Sequence, residues 1–178
     1  MKMKEVQLTF LKDQFWILSI GGAFQRANIY KTSENNIVHS EFKSKLREFI
    51  ETNIIPVYVN LPNVSDNQHC KNIQNISNWA TSQYSSLFIK NKFRIGVCQK
   101  LLNLYLKYLW CAGIINEPPH CPIDRTILSK IFKSDIPNWT NINQINQYMS
   151  YISEIKRVSD NAGMSIALWE LNTYQDKY

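Results

Sequence analysis

The sequence predicts an all-α, compact helical protein, and three observations carry that expectation. Apolar residues recur at helical spacing along much of the chain, as at Phe42, Leu46, Phe49 and Ile50. One run, VCQKLLNLYLKYLWCA, is apolar nearly all round, which marks a helix buried at the centre of a domain. Glycine is scarce, 5 in 178 residues, too few for a turn-rich β-sandwich or a glycine-rich phosphate loop. A chain of this length buries roughly 70% of its unfolded surface in one domain. Its 12% aromatic content supplies the core and argues against disorder.

Local signals justify each element. Residues 6–20 read as a helix broken at Gly21-Gly22, because paired glycines weaken helices. Residues 40–52 form a second, with Ser40 as N-cap. The stretch IIPVYVNLP, 54–62, reads as extended or irregular, with Pro56 and Pro62 as breakers. A polar helix over 65–88 turns Ile73, Ile76, Trp79 and Ala80 inward. A short basic connection, IKNKFRIG, leads into the buried helix at 97–112, which Gly113 closes as a C-cap. EPPHCP, with three prolines, cannot be helical. Asp124 then caps the helix in DRTILSKIF. A long helix over 138–158 and a last one over 165–173, after Gly163, complete a single domain, 1–178.

The placement of charge says more than its total of +6. Between Asp66 and Glu117 there is no acidic residue, while Lys71, Lys90, Lys92, Arg94, Lys100 and Lys107 all fall there. A basic, acid-free stretch interleaved with aromatics is a footprint for a polyanion, with Lys90, Lys92 and Arg94 as expected phosphate contacts. The sequence has no run of 18 apolar residues free of charge, so no membrane partner is expected. The segment MKMKEVQLTF carries Glu5 and no small-residue cleavage site, so no secretory signal is expected either. Cys70, Cys98, Cys111 and Cys121 form no CxxC pair and read as reduced thiols of a cytosolic protein. Cys111, His120 and Cys121 offer three zinc ligands and no fourth at sensible spacing, so no metal is expected.

One constellation carries chemistry. A helix, the short hairpin RIGVC and a second helix with Lys100 in its first turn leave backbone N–H groups at the second helix N-terminus. Such groups hold a phosphate without reading sequence. Lysine near the positive end of a helix dipole, shielded from water, loses its proton more easily and becomes a nucleophile. Downstream, Pro122-Ile123-Asp124 puts a carboxylate at another helix start. Taken singly, such a lysine is ordinarily a surface charge and such an aspartate an N-cap. Together, flanking a buried helix in a basic region, they suit chemistry at a sugar carbon, with the carboxylate stabilising an oxocarbenium ion and taking up protons.

The stretch GVCQK followed by PID resembles the helix-hairpin-helix DNA glycosylases, whose signature is a Gly-hydrophobic-Gly hairpin just before a lysine with a Pro-x-Asp loop downstream, and among them the 8-oxoguanine DNA glycosylases. The resemblance covers residues 79–132, with the helix-hairpin-helix at about 66–112 and the Pro-x-Asp loop at 118–124. It implies that Gly96 and Val97 belong to the hairpin, that Lys100 is the catalytic lysine, and that Pro122 and Asp124 belong to the loop carrying the catalytic aspartate. The tail GMSIALWELN resembles the C-terminal helix of stand-alone bacterial and archaeal members. Two departures stand out. Cys98 occupies the place of the hairpin's second glycine, which predicts a distorted hairpin, and the separation of Lys100 from Asp124 is longer than in many relatives. No cysteine follows Cys121, so an iron–sulfur cluster is not expected.

The resemblance implies a monomeric bifunctional glycosylase and AP lyase, acting without cofactor on double-stranded DNA with a damaged base, with 8-oxoguanine as substrate. A bacterial or archaeal cytoplasm, at the nucleoid, is the matching location. Base recognition needs an aromatic face and a few polar contacts, because the target base leaves the stack. Trp169, on the helix that closes the pocket in compact relatives, is the expected stacking residue, with Glu170 and Gln25 as hydrogen-bond candidates. Gln99 is a further candidate DNA contact, and His120, beside proline, reads as structural. The rival readings are a non-catalytic helix-hairpin-helix DNA-binding protein, a glycosylase acting on modified phage DNA in defence, and a helical protein–protein module.

Overall fold

The computed structural model describes residues 4–31 and 36–175. Among these it contains eight α-helices: α1 (Glu5–Phe24), α2 (Asn36–Asn53), α3 (Ile55–Asn60), α4 (Asp66–Tyr84), α5 (Ile95–Cys111), α6 (Arg125–Ile131), α7 (Ile145–Asn161) and α8 (Ile166–Gln175). Short 3₁₀ turns at Ser85–Leu87, Ile89–Asn91 and Trp139–Asn141 join them. The only strand-like pairing among the described residues is one antiparallel bridge between Tyr30 and Phe88. The all-α expectation therefore stands.

Helix α5 is the axis. Leu101, Leu102, Tyr105, Leu106 and Leu109 are fully buried, and α1 and α4 pack along it, with α7 touching it from another side. Helices α2 and α3 lie behind α4, while α6 and α8 pack on α7. Gly113, with φ of +70°, ends α5 at the expected place, a backbone position that costs other residues strain.

The connection between α4 and α5 is held from beneath by aromatic rings. Phe88 and Phe93, on either side of the turn, meet Phe42 of α2 at centroid distances of 5.1 and 5.5 Å. All three are fully buried, each contributing on the order of 2–3 kcal/mol. The tight reversal itself falls at Lys90 and Asn91, with φ of 58° and 53°. Cys98 lies inside α5 in ordinary helical backbone, so the distortion predicted from its replacing a glycine does not arise.

Several boundaries differ from the sequence reading, each for a packing reason. Helix α1 runs through Gly21-Gly22, because Gly22 sits so close to α5 that a Cβ there would meet Leu104 at 2.8 Å. Tertiary packing of α1 on α5 outweighs the roughly 1 kcal/mol propensity cost of each glycine. Helix α2 begins at Asn36, so Ser40 is helix interior and not a cap; Val38 and Phe42, four apart, already share the core face. Residues 55–60 are helical, with Pro56 in the first turn, where its missing N–H costs nothing. Helix α4 ends at Tyr84, short of the expected 88, where the 3₁₀ turns begin. The helix expected over 138–158 is split. Asn138 accepts hydrogen bonds from the N–H and hydroxyl of Thr140, fixing a tight turn that buries Trp139 and Ile142 before α7 starts.

Candidate active site

The Lys100 amine and the Asp124 carboxylate come together. Lys100 lies in the second turn of α5, because the helix starts at Ile95, two residues earlier than the sequence suggested. Its Nζ is 3.5 Å from Asp124 Oδ2 and 4.4 Å from the ring centre of Trp139. Asp124 also caps α6, its Oδ1 accepting from Ile127 N at 3.1 Å. One carboxylate oxygen thus terminates a helix while the other faces the amine.

Each partner is held by a different device. Gly96 lets the chain at Trp139 approach α5 closely: a Cβ on Gly96 would stand 2.1 Å from the Trp139 carbonyl oxygen. This contact lays the indole, only 4% exposed, against Lys100. Asp124 is set by its predecessor. The fully buried Gln99 side chain donates to Ile123 O at 2.8 Å and accepts from Ile123 N at 3.0 Å. The clamp continues as a buried polar chain: Asn103 donates to Gln99 and to Tyr148 OH, and His120 Nδ1 meets Tyr148 OH at 2.9 Å. His120 Nε2 reaches the half-exposed rim 3.3 Å from Asp66 Oδ1, and this contact holds the Asp66 carboxyl below the usual carboxylate range.

Lys100 and Asp124 open into a cleft of about 340 Å³, within the range of small-ligand sites. The end of α1 contributes Gly22, Gln25 and Arg26; the start of α6 adds Arg125 and Thr126; the 137–140 turn forms the remaining wall. The Lys100 side chain is only 12% exposed. Burial pushes its pKa below the ordinary lysine value, Asp124 pulls it back up, and the Arg26 guanidinium pushes it down again. A desolvated amine beside a carboxylate that can receive its proton is the arrangement an amine nucleophile requires.

The other expected site residues are distributed differently. Lys90 is exposed, as a phosphate contact requires. Lys92 donates to Asn143 O at 3.1 Å, and Arg94 donates to Ala27 O and Asn28 O, so both charges tie loops to the hairpin. The expectation that the Gly96 and Val97 amides would hold a phosphate fails on geometry. Gly96 N already donates to Ile142 O at 2.9 Å, Val97 N donates back to Arg94 O, and both residues are buried. Gln99, fully buried, cannot touch DNA in this arrangement. Of the base-pocket candidates, Gln25 lines the cleft. Glu170 instead pairs with Lys107 at 2.8 Å beside a separate small cavity that includes His120 and Cys121, and Trp169 is half-buried against the core outside the cleft lining.

Arg26, Arg125 and Trp139 escaped the sequence reading; the Asn-Trp-Thr stretch is the one signal that could have placed the last of these in a turn. Among the described residues no three His, Cys, Asp or Glu side chains cluster as a metal site, and Cys111 is exposed while Cys121 is buried. No helix of the described residues is long and apolar enough to cross a membrane. No protein-family description, curated protein or solved structure matches the chain.

Proposed function

We propose that the protein is a DNA glycosylase with β-elimination lyase activity, working through a Schiff base on Lys100. The observation that carries this reading is the Lys100–Asp124 pair, a shielded amine 3.5 Å from a carboxylate at the mouth of a cleft. The likeness of GVCQK and PID to the helix-hairpin-helix glycosylases supplies the substrate class: a flipped, oxidised purine nucleotide, 8-oxoguanine by that likeness.

In this reading Asp124 takes the proton from the Lys100 ammonium. The free amine attacks C1′; a C1′–N bond to lysine forms as the bond to the base breaks, and the base leaves with the bonding pair. Asp124, having passed that proton to the departing base, stabilises as a carboxylate the positive charge that develops on the sugar. Ring opening gives the imine. Loss of a proton from C2′ then sends its electron pair into a new double bond and expels the 3′ phosphate.

The test is borohydride trapping on duplexes carrying single lesions. A protein–DNA adduct is expected from wild type and not from Lys100→Gln. Lys130, exposed on α6, is the control lysine, since Lys107 is engaged with Glu170. An adduct that survives Lys100→Gln and vanishes in another lysine variant overturns the assignment. Salt-sensitive duplex binding with no adduct on any lesion favours the non-catalytic reading.

A further inference from the structure

Resting on the reading of Lys100 as an imine-forming amine, we propose that Arg26 and Arg125 form a phosphate clamp on either side of it. The cleft is thereby selective for phosphate-bearing aldehyde sugars, of which the open-chain sugar of an abasic site is the DNA form.

The two arginines enter the same cleft from different elements, Arg26 from the end of α1 and Arg125 from the first turn of α6. Both are exposed, and neither makes a hydrogen bond or ion pair with another described residue. This sets them apart from Lys92, Arg94 and Lys107, whose charges are committed to the fold. The cleft holds three cationic side chains, Arg26, Lys100 and Arg125, against one carboxylate, Asp124, which already faces Lys100. The charge left over is positive, and it sits on guanidinium groups whose forked donors match phosphate oxygens. With the Gly96 amide closed by Ile142, these arginines are the open guanidinium donors lining the cleft around the amine.

The chemistry makes the clamp testable apart from base excision. A neutral lysine adds to an aldehyde carbon, the carbonyl pair moves to oxygen and takes a proton, and water leaves to give the imine. Borohydride then delivers hydride to that carbon and fixes a secondary amine. We would trap wild type with free 2-deoxyribose, with 2-deoxyribose 5-phosphate and with a duplex containing an abasic site, and map the modified lysine.

Phosphate is expected to raise Lys100 labelling by the free sugar about tenfold or more, as one charge-assisted contact of about 1.4 kcal/mol supplies. The double variant Arg26→Gln, Arg125→Gln should lose that preference, read as the ratio of labelling by the two sugars so that the loss of Arg26's effect on the Lys100 pKa cancels, and its circular dichroism should show that it folds. No phosphate preference in wild type, or an unchanged one in the double variant, overturns the clamp and leaves the Lys100 assignment standing. Labelling by 2-deoxyribose 5-phosphate but not by the abasic duplex supports the clamp and overturns the DNA reading. No Lys100 adduct with any of the three overturns both.

Discussion

Gln99 holds both main-chain polar groups of Ile123, donating to its carbonyl at 2.8 Å and accepting from its N–H at 3.0 Å. Lys100 follows Gln99 and Asp124 follows Ile123, so this clamp fixes the distance between the Lys100 amine and the Asp124 carboxylate.

Gln99→Ala should therefore act on stability and geometry together. It leaves two buried main-chain groups unpaired, each costing about 1–3 kcal/mol. Urea unfolding should show the loss. At temperatures where the variant remains folded, Lys100 trapping should fall further than the folded fraction does. A variant as stable as wild type would mean that the loop holds itself without Gln99.

Asp124→Asn keeps an oxygen that accepts from Ile127 N, so stability should change by less than about 1 kcal/mol. Base excision should fall by orders of magnitude. Imine formation with a small aldehyde should move the opposite way. Asp124 raises the Lys100 pKa, so removing its charge lowers that pKa further below 10.5 and frees more amine at neutral pH. A pH series of borohydride trapping reads this directly, and slower trapping by the variant at pH 7 would contradict it.

Glu170→Gln separates base recognition from architecture. Glu170 and Lys107 are both buried and joined at 2.8 and 2.9 Å, with the Lys107 ammonium 4.5 Å from the Tyr174 ring centre. Breaking one side of such a pair costs about 3–5 kcal/mol. The urea midpoint should drop accordingly, while excision per folded molecule stays at the wild-type level. Lost excision in a variant of normal stability would instead make Glu170 a base contact.

His69 should set part of the acid limb of stability. Its ring is fully buried, 2.7 Å from Tyr58 OH and edge-on to His120, and burial holds its pKa well below 6.5, with His120 adding to the effect. The native ring stays neutral while the unfolded one takes a proton below pH 6.5. This contribution is complete above that pH and declines as the pH falls, by up to about 1.4 kcal/mol per pH unit. Urea midpoints at pH 7, 6 and 5 should converge for wild type and His69→Gln as the pH falls. Parallel curves would place the acid sensitivity elsewhere.

Helix periodicity made α2 and α4 legible because their apolar faces are set by local spacing, and α5 was legible from its nearly unbroken apolar run. Asp124 and Gly113 could be placed as caps because capping is a short-range rule. What could not be read was long-range contact. Gly22 looked like a helix break, and only its approach to Leu104 shows why the helix continues. Gly96 looked like a phosphate-binding hairpin residue, and its use is to admit the Trp139 carbonyl. Lys92 and Arg94 announced their charge, whereas their carbonyl partners lie 51 and 66 residues away in the chain. The Lys100–Asp124 pairing was expected only from the resemblance of GVCQK and PID to a known motif, because spacing alone does not reveal a contact 24 residues apart.

The Lys100 amine and the Asp124 carboxylate ride on elements of unequal depth. Lys100 belongs to α5, the buried helix against which α1, α4 and α7 pack, so releasing it requires opening the core. Asp124 heads a seven-residue helix at the margin, packed chiefly on α7. Amide hydrogen exchange should divide them in the same way, with α5 protected up to global unfolding and α6 exchanging through local opening. The amine is then the fixed reference of the site, and adjustment to an arriving ligand falls to the aspartate side.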